Sequence, residues 1–105
     1  MSHYECRVEV RAEDVVGALQ ALKASEKRGK DICVSFHEGS LEFARGVTTV
    51  RVPASGIWSR TALVHVDLVK DLLRRRKVLP ETFVLSGGQS MLHFSHYSIP
   101  CRWVD

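Results

Sequence analysis

The sequence predicts an α+β domain on three observations. Short runs alternate apolar and polar residues, as half-buried strands do, and two segments place apolar residues three and four apart, as amphipathic helices do. The order of these elements also occurs twice. Antiparallel strands and amphipathic helices each have one apolar face to bury. We therefore expect a duplicated β-α-β-β-β unit with two helices packed on one face of antiparallel sheets.

The composition limits the class of protein. The 105 residues fit one domain with an internal repeat at about 3–58 and 59–105, and 45% apolar with 26% charged residues is ordinary for a globular chain. No apolar run reaches the roughly 18 residues of a membrane span, and the N-terminus lacks a secretory signal. Cys6, Cys33 and Cys101 are odd in number and widely spaced, which argues against a disulfide framework or a zinc site. We expect a cytoplasmic protein.

The first repeat begins with a strand and a helix. Tyr4 to Arg11 alternates without a break, and Glu13 and Asp14 then place acids in the first turn of a helix, where its dipole favours them. The buried stripe of this helix is predicted at Val15, Val16, Leu19 and Leu22. Three strands follow, and the last is predicted to end at Pro53, because proline cannot donate to a central ladder. Residues 54–60 are then a connection.

The second repeat has the same order. A short strand at 61–64 leads into a helix whose buried stripe is predicted at Val66, Val69, Leu72 and Leu73, a hairpin turns at Gly87-Gly88, and a last strand is predicted from Tyr97 to Trp103. The apolar residues of the two hairpins lie 51 positions apart, with Ile32, Val34, Leu41 and Phe43 matched to Phe83, Leu85, Leu92 and Phe94.

Cations concentrate in and just after the two predicted helices. Nine of the fifteen lie there: Lys23, Lys27, Arg28, Lys30, Lys70, Arg74, Arg75, Arg76 and Lys77. Such a cluster is typical of a surface that binds a polyanion, and also of cations that neutralise the negative C-terminal ends of helices. On the residues alone, both interpretations are open.

The order of elements resembles one domain of the DNA sliding clamps, the family of bacterial DNA polymerase III beta subunits and related ring-forming processivity clamps of DNA replication. The resemblance rests on short motifs over nearly the whole chain: Glu13 to Leu22, Gly39-Ser40-Leu41-Glu42-Phe43, Val50-Arg51-Val52-Pro53-Ala54, Val66 to Leu73 and Ser95-x-Tyr97-Ser98-Ile99-Pro100. It implies a DNA-clamp-like fold in which helices line the inside of a ring. Their cations contact the backbone of double-stranded DNA without reading its sequence.

The resemblance also implies site residues and an assembly. The nine cations named above become the expected DNA-binding residues, with Lys23, Lys27, Lys70 and Arg74 at the corresponding positions. Family members carry two or three such domains per chain, so a ring built from this one requires a homo-oligomer. Asp67 and Asp71 share the exposed face of the second helix and weaken its positive field. No residues here match the peptide groove of bacterial clamps.

The remaining motifs predict no chemistry. His93 and His96 have a metal-like spacing, but on a strand and a turn their rings do not converge, so surface histidines are favoured. Gly87-Gly88 lacks the following Lys-Ser or Lys-Thr of a phosphate loop. No serine or cysteine stands with a histidine and an acid in a recognised context. We expect no catalytic residue, no metal and no cofactor.

The functional hypothesis is a non-catalytic domain that binds DNA independently of sequence, as a homo-oligomer joined by edge strands. It requires the cationic ends of the two helices to share one surface. The alternative is a protein-interaction module that keeps the clamp fold without binding DNA. That module would hold its partner in a groove lined by Ile57, Trp58 and Trp103. Neither hypothesis involves a membrane.

Overall fold

The computed structural model describes residues 6–24, 31–75, 77, 79–95 and 97–104. Nine strands and two helices lie along this part of the chain. In chain order they are β1 (Cys6–Arg11), α1 (Ala12–Ala24), β2 (Asp31–His37), β3 (Ser40–Arg45), β4 (Thr48–Trp58), β5 (Thr61–His65), α2 (Val66–Arg74), β6 (Thr82–Gly87), β7 (Met91–Phe94), β8 (Tyr97–Pro100) and β9 (Arg102–Val104).

The strands form one antiparallel sheet in the order β8-β7-β6-β1-β4-β3-β2-β5-β9. β4 changes partner along its length, since residues 48–53 pair with β3 and residues 54–58 pair with β1. The segment 97–104 does the same, because β8 pairs with β7 and β9 pairs with β5 on either side of Cys101. The two ends of the strand order are therefore consecutive in the chain. Cys101 joins these two end strands covalently, and in the described sheet they are not hydrogen-bonded to each other.

The hairpins β2-β3 and β6-β7 supply the centre of the core. Their eight apolar residues, predicted from the 51-position match, are each at most 1% exposed. Phe83 and Phe94 meet edge to face with ring centroids 5.9 Å apart, an arrangement that aromatic rings favour. The alternation seen in the sequence thus correctly identified which side of each hairpin is buried.

The helices add one apolar stripe each to the same core. The stripe predicted for α2 is confirmed, because all four of its residues are buried. In α1, Val15, Leu19 and Leu22 are buried as predicted, whereas Val16 is only half-buried and packs at the edge of the core. The apolar face of each helix is therefore set by the spacing in the sequence.

The predicted α+β class was wrong, because strand dominates the structure. Strands account for 58% of it, and α2 has only nine residues. The helices contact limited parts of the sheet, α1 at β1, β3 and β4 and α2 at β5 and β8. The described chain is a small β-rich domain, and not a DNA-clamp-like α+β domain built as two helices over antiparallel sheets.

Three local predictions were also wrong. Pro53 does not end its strand, because it lies where β4 leaves β3 and its missing N–H falls at the change of partner. Residues 54–58, predicted to be a connection, continue β4 and pair with β1. The strand predicted from Tyr97 to Trp103 is instead divided at Cys101 into β8 and β9.

Candidate nucleic-acid interface

α2 presents a charged face because its apolar face is fixed in the core. With Val66, Val69, Leu72 and Leu73 buried, the polar residues between them point outward. His65 caps the N-terminus, since its Nδ1 accepts a hydrogen bond from the Asp67 N–H at 3.1 Å. At the other end, the N–H of Arg75 donates to the Leu72 carbonyl at 3.1 Å and ends the helix.

The exposed face of α2 carries a series of ion pairs between residues one turn apart. Lys70 Nζ lies 3.0 Å from Asp67 Oδ1, one turn earlier. Asp71 is shared by two cations, with Arg74 Nη1 3.8 Å from Oδ1 and Arg75 Nε 3.4 Å from Oδ2. Asp67 and Asp71 thus neutralise part of the predicted DNA-binding surface. The sequence indicated that these acids share the face, but not that one carboxylate serves both arginines.

The C-terminal end of α2 nevertheless remains net positive. The side chains of Arg74 and Arg75 are 74% and 55% exposed, and Lys77 is exposed just beyond the helix. Asp71 is the acidic partner of both arginines, and within the described residues Lys77 makes no ion pair. Arg75 also lies over the ring of Tyr97 on β8, 5.9 Å from its centroid, which positions its guanidinium beside the edge of the sheet.

The end of α1 is arranged differently. Arg45 on β3 is 8% exposed and donates from Nη1 to the carbonyl oxygens of Leu22 and Lys23, at 2.7 and 3.4 Å. These carbonyls belong to the last turn of α1, where backbone acceptors have no partner within the helix. Sequence reasoning missed this role of Arg45, because a residue on β3 gives no sequence signal that it reaches α1. Lys23 itself is exposed.

The two helices run in opposite directions. The N–H of Ala12, which begins α1, donates to the carbonyl of Glu81, which lies six positions after Arg75. At the other end, His65 pairs in register with Asp31 on β2, and Arg45 on the neighbouring β3 holds the last turn of α1. α2 therefore starts where α1 ends.

The structure describes five of the nine predicted DNA-binding residues. Arg74, Arg75 and Lys77 lie at or just after the end of α2, and Lys23 lies in the last turn of α1. Of the remaining predicted site residues, Lys70 lies midway along α2. The others, Lys27, Arg28, Lys30 and Arg76, lie outside the described residues, and their role stays a prediction. The surface described is therefore one cationic helix end.

The tryptophans do not form the groove predicted for a protein partner. Trp58 is 6% exposed, so it cannot line an open groove, and its ring lies 5.9 Å from that of Trp103. Among the described residues its indole N–H has no hydrogen-bond partner. A groove that the sequence did not indicate lies instead between α2 and β8. Its lining includes Leu68, Leu72, Tyr97 and Ile99.

His93 hydrogen bonds to a serine. Its Nδ1 lies 2.7 Å from Oγ of Ser98, its register partner on β8. A serine beside a histidine is two parts of a nucleophilic site, and an acid to orient the histidine is the third. The neighbour of His93 on its other side is Ser86 of β6, which is not an acid. His96 lies outside the described residues. No group of three potential metal ligands occurs in the described parts of the chain.

The chain was compared with known protein families and with curated proteins. No family model matches the chain, and no curated protein matches it significantly. The resemblance to sliding clamps therefore stays a prediction. Neither α1 nor α2, over the residues the structure describes, is long and apolar enough to cross a membrane.

Proposed function

We propose that this chain is a non-catalytic domain that binds the backbone of double-stranded DNA, independently of sequence, through the C-terminal end of α2. The observation that carries the proposal is charge: Arg74, Arg75 and Lys77 stand together against Asp71, all exposed. The buried stripe of α2 also holds the helix in place, so the cations at its C-terminal end have a fixed position. The binding is electrostatic, since such cations displace counterions from phosphate.

The ion pairs within α2 do not prevent this binding. Exposed pairs of this kind contribute roughly 0.2 to 1 kcal/mol each, because water screens both charges. A phosphate group can therefore replace Asp71 as the partner of Arg74 or Arg75 at little cost. Asp71 reduces the affinity for DNA without abolishing it.

A salt titration of duplex DNA tests the proposal. Affinity should fall steeply between about 50 and about 200 mM salt and vary little with sequence. The double variant Arg74→Ala with Arg75→Ala should bind more weakly and lower the slope of log K against log salt by about 2. The matched control is Arg51→Ala with Arg102→Ala, which removes two arginines that are 67% and 71% exposed and paired with acids on the sheet. No binding at low salt, or an equal loss in the control, contradicts the proposal.

The charge of Asp71 gives an independent prediction. Asp71→Asn releases both arginines, so the affinity for duplex DNA should rise about 2- to 5-fold at low salt, as expected from exposed pairs worth roughly 0.5 to 1 kcal/mol. Glu42→Gln is the control, because it makes the same change of charge on β3, where the partner is Arg51 at 2.9 Å. Equal gains in the two variants would indicate an effect of net charge alone, and no gain in Asp71→Asn would exclude the α2 surface.

We propose further that copies of the chain associate through sheet edges in the cytoplasm. β8 and β9 each have one hydrogen-bonded neighbour in the sheet, so each has an edge that another strand can join. The three cysteines are free thiols, which suits a reducing compartment. Sedimentation over a range of concentrations tests the association. A monomer at every concentration contradicts it.

A protein-interaction module that does not bind DNA is the second candidate. It is favoured by the groove between α2 and β8, where Leu68 is 38% exposed beside the open edge of the sheet. Leu68→Asp would then abolish binding of a defined partner that survives nuclease treatment, whereas the double arginine variant would retain it. If the chain binds DNA and no such protein partner is found, this candidate is contradicted.

A further inference from the structure

β9 is a short strand that few contacts hold on β5. Its three residues pair with residues 61–63 of β5. On its other side β9 has no hydrogen-bonded neighbour in the described sheet. Cys101, the residue before it, belongs to neither β8 nor β9. β9 is therefore a separate strand that follows a joint of one residue.

The site that holds β9 is built around Trp103. The ring lies 5.9 Å from that of Trp58, and its Nε1 donates to the Gly88 carbonyl at 2.7 Å. The Arg60 guanidinium lies 5.4 Å from the ring centroid. Gly87 leaves room for the ring, because a Cβ atom there would lie 2.7 Å from Cζ2 of Trp103. β4, β5 and β6 together thus form a site that fits a tryptophan on an added strand.

An ion pair gives the site a second point of recognition. Nη2 of Arg102 donates to Oδ2 of Asp31 at 3.1 Å, and Asp31 lies on β2, the other neighbour of β5. The two side chains are 71% and 41% exposed, so the pair lies at the surface. The site therefore recognises an arginine followed directly by a tryptophan, in an extended strand.

None of these contacts requires that β9 and its site belong to the same copy of the chain. We propose that two copies exchange β9, so that the strand of each copy pairs with β5 of the other. The exchange forms every contact of β9 again, and only the joint at Cys101 has to change direction. Each copy supplies one strand and one site, so the product is a closed dimer with two-fold symmetry.

The exchange competes with docking of β9 in its own copy. The joint keeps the strand close to its own site, which gives the intramolecular contact a high effective concentration. The exchanged dimer is therefore favoured at high protein concentration. The exchange rests on the proposed association of copies and is independent of DNA binding.

Charge reversal at the surface pair tests the exchange in the full chain. Asp31→Arg and Arg102→Asp each place two like charges together, so β9 is held less well in either variant alone. When the two variants are mixed, exchange of both strands pairs an arginine with an aspartate at both sites. In sedimentation at about 0.1 M salt, the mixed dimer should form about 10-fold more tightly than a dimer of either variant with itself.

The matched control reverses a pair that the exchange leaves within one copy. Arg51 on β4 lies 2.9 Å from Glu42 on β3, so Glu42→Arg mixed with Arg51→Glu repeats both changes of net charge. No preference for the mixed dimer, or an equal preference in this control, would overturn the exchange. If the wild type still associates in that case, the copies join through sheet edges without exchanging a strand.

Trp103 supplies a second pair of variants. Trp103→Ala removes the ring from β9 and leaves the site open, whereas Gly87→Val fills the site and leaves β9 unchanged. Their mixture should give a dimer with one occupied site. Trp103→Ala mixed with the double variant Gly87→Val, Trp103→Ala should give none, because neither chain carries the ring. A dimer in both mixtures, or in neither, would contradict the exchange. If Gly87→Val fails to fold, the charge variants alone decide it.

Discussion

Gly56 is held closely against the backbone of the neighbouring strand. It lies opposite Val8 where β4 pairs with β1, with φ at +141°, a region that side chains of L residues rarely adopt. A Cβ atom at this position would lie 2.2 Å from the carbonyl oxygen of Arg7 and 2.8 Å from Cα of Val8. Both are backbone atoms of a central strand. They cannot move without breaking the pairing of β1.

We therefore expect Gly56→Ala to destabilise the fold by about 2 kcal/mol or more. Gly17→Ala is the control with the same chemical change, because Gly17 is exposed in α1 and an added Cβ would meet nothing within 4 Å. It should stabilise by about 0.5 to 1 kcal/mol, as alanine does in a helix. Urea unfolding measures both. A Gly56→Ala variant as stable as wild type would show that β4 does not pair with β1 in this register.

The Cys101 thiol should make the free energy of unfolding depend on pH. Burial raises its pKa to about 11 from an ordinary value of 9.0, with a nearby Cys6 adding to the increase and Arg60 opposing it. Below pH 9 the thiol is protonated in both the folded and the unfolded chain. Between about 9 and about 11 the unfolded chain releases the proton while the folded chain retains it, so the free energy of unfolding falls as pH rises.

Comparison with Cys101→Ala separates this loss from the titration of lysines. At about pH 10 the wild type should have lost about 1 kcal/mol more than the variant, relative to each protein at pH 8. The native Cys101 should also react slowly with thiol reagents at pH 8, because it is 8% exposed and protonated. If the free energy of unfolding changes with pH in the same way in the two proteins, the raised pKa of Cys101 is contradicted.

At the scale of elements, Arg45 connects the end of α1 to the sheet. Its hydrogen bonds to the Leu22 and Lys23 carbonyls satisfy acceptors that the helix leaves open. Arg45→Met keeps the length of the side chain and removes the donors, so we expect a loss of about 1 to 3 kcal/mol. Arg51→Met, one strand away and 67% exposed, should cost about 1 kcal/mol or less. Similar losses in the two variants would refute the capping role of Arg45.

The elements also show how far the sequence alone could lead. Spacing predicted α2 well, because four apolar residues at helical intervals have one way to reach the core. It failed at Pro53, since a strand that changes partner loses no ladder bond there, and only the tertiary pairing shows where that change occurs. For the candidate site, the sequence predicted which cations take part but not how they are arranged in space. That α1 and α2 run in opposite directions depends on long-range contacts such as that of Ala12 with Glu81, which no local pattern encodes.

At the scale of the whole molecule, the last strand connects the two ends of the strand order. β9 has only three residues paired with β5, and it continues directly from β8 on the far side of the strand order. Trp103 secures it. Its Nε1 donates to the Gly88 carbonyl at 2.7 Å, which ties β9 to the loop between β6 and β7. The Arg60 guanidinium lies 5.4 Å from the centroid of the same ring.

Trp103 should therefore hold the two ends of the sheet in one cooperative unit. Trp103→Ala removes the ring contact with Trp58 and the bond to Gly88, and we expect it to lower stability by about 3 kcal/mol. Trp103→Phe keeps one aromatic ring but loses the N–H and the second ring of the indole, so it should cost less than Trp103→Ala, about 1 kcal/mol or more. Unfolding followed by circular dichroism and by Trp58 fluorescence should coincide in Trp103→Phe, because the remaining ring still holds β9 in the same cooperative unit. Two separate transitions in that variant, or equal losses in the two variants, would mean that Trp103 does not hold the ends of the sheet together.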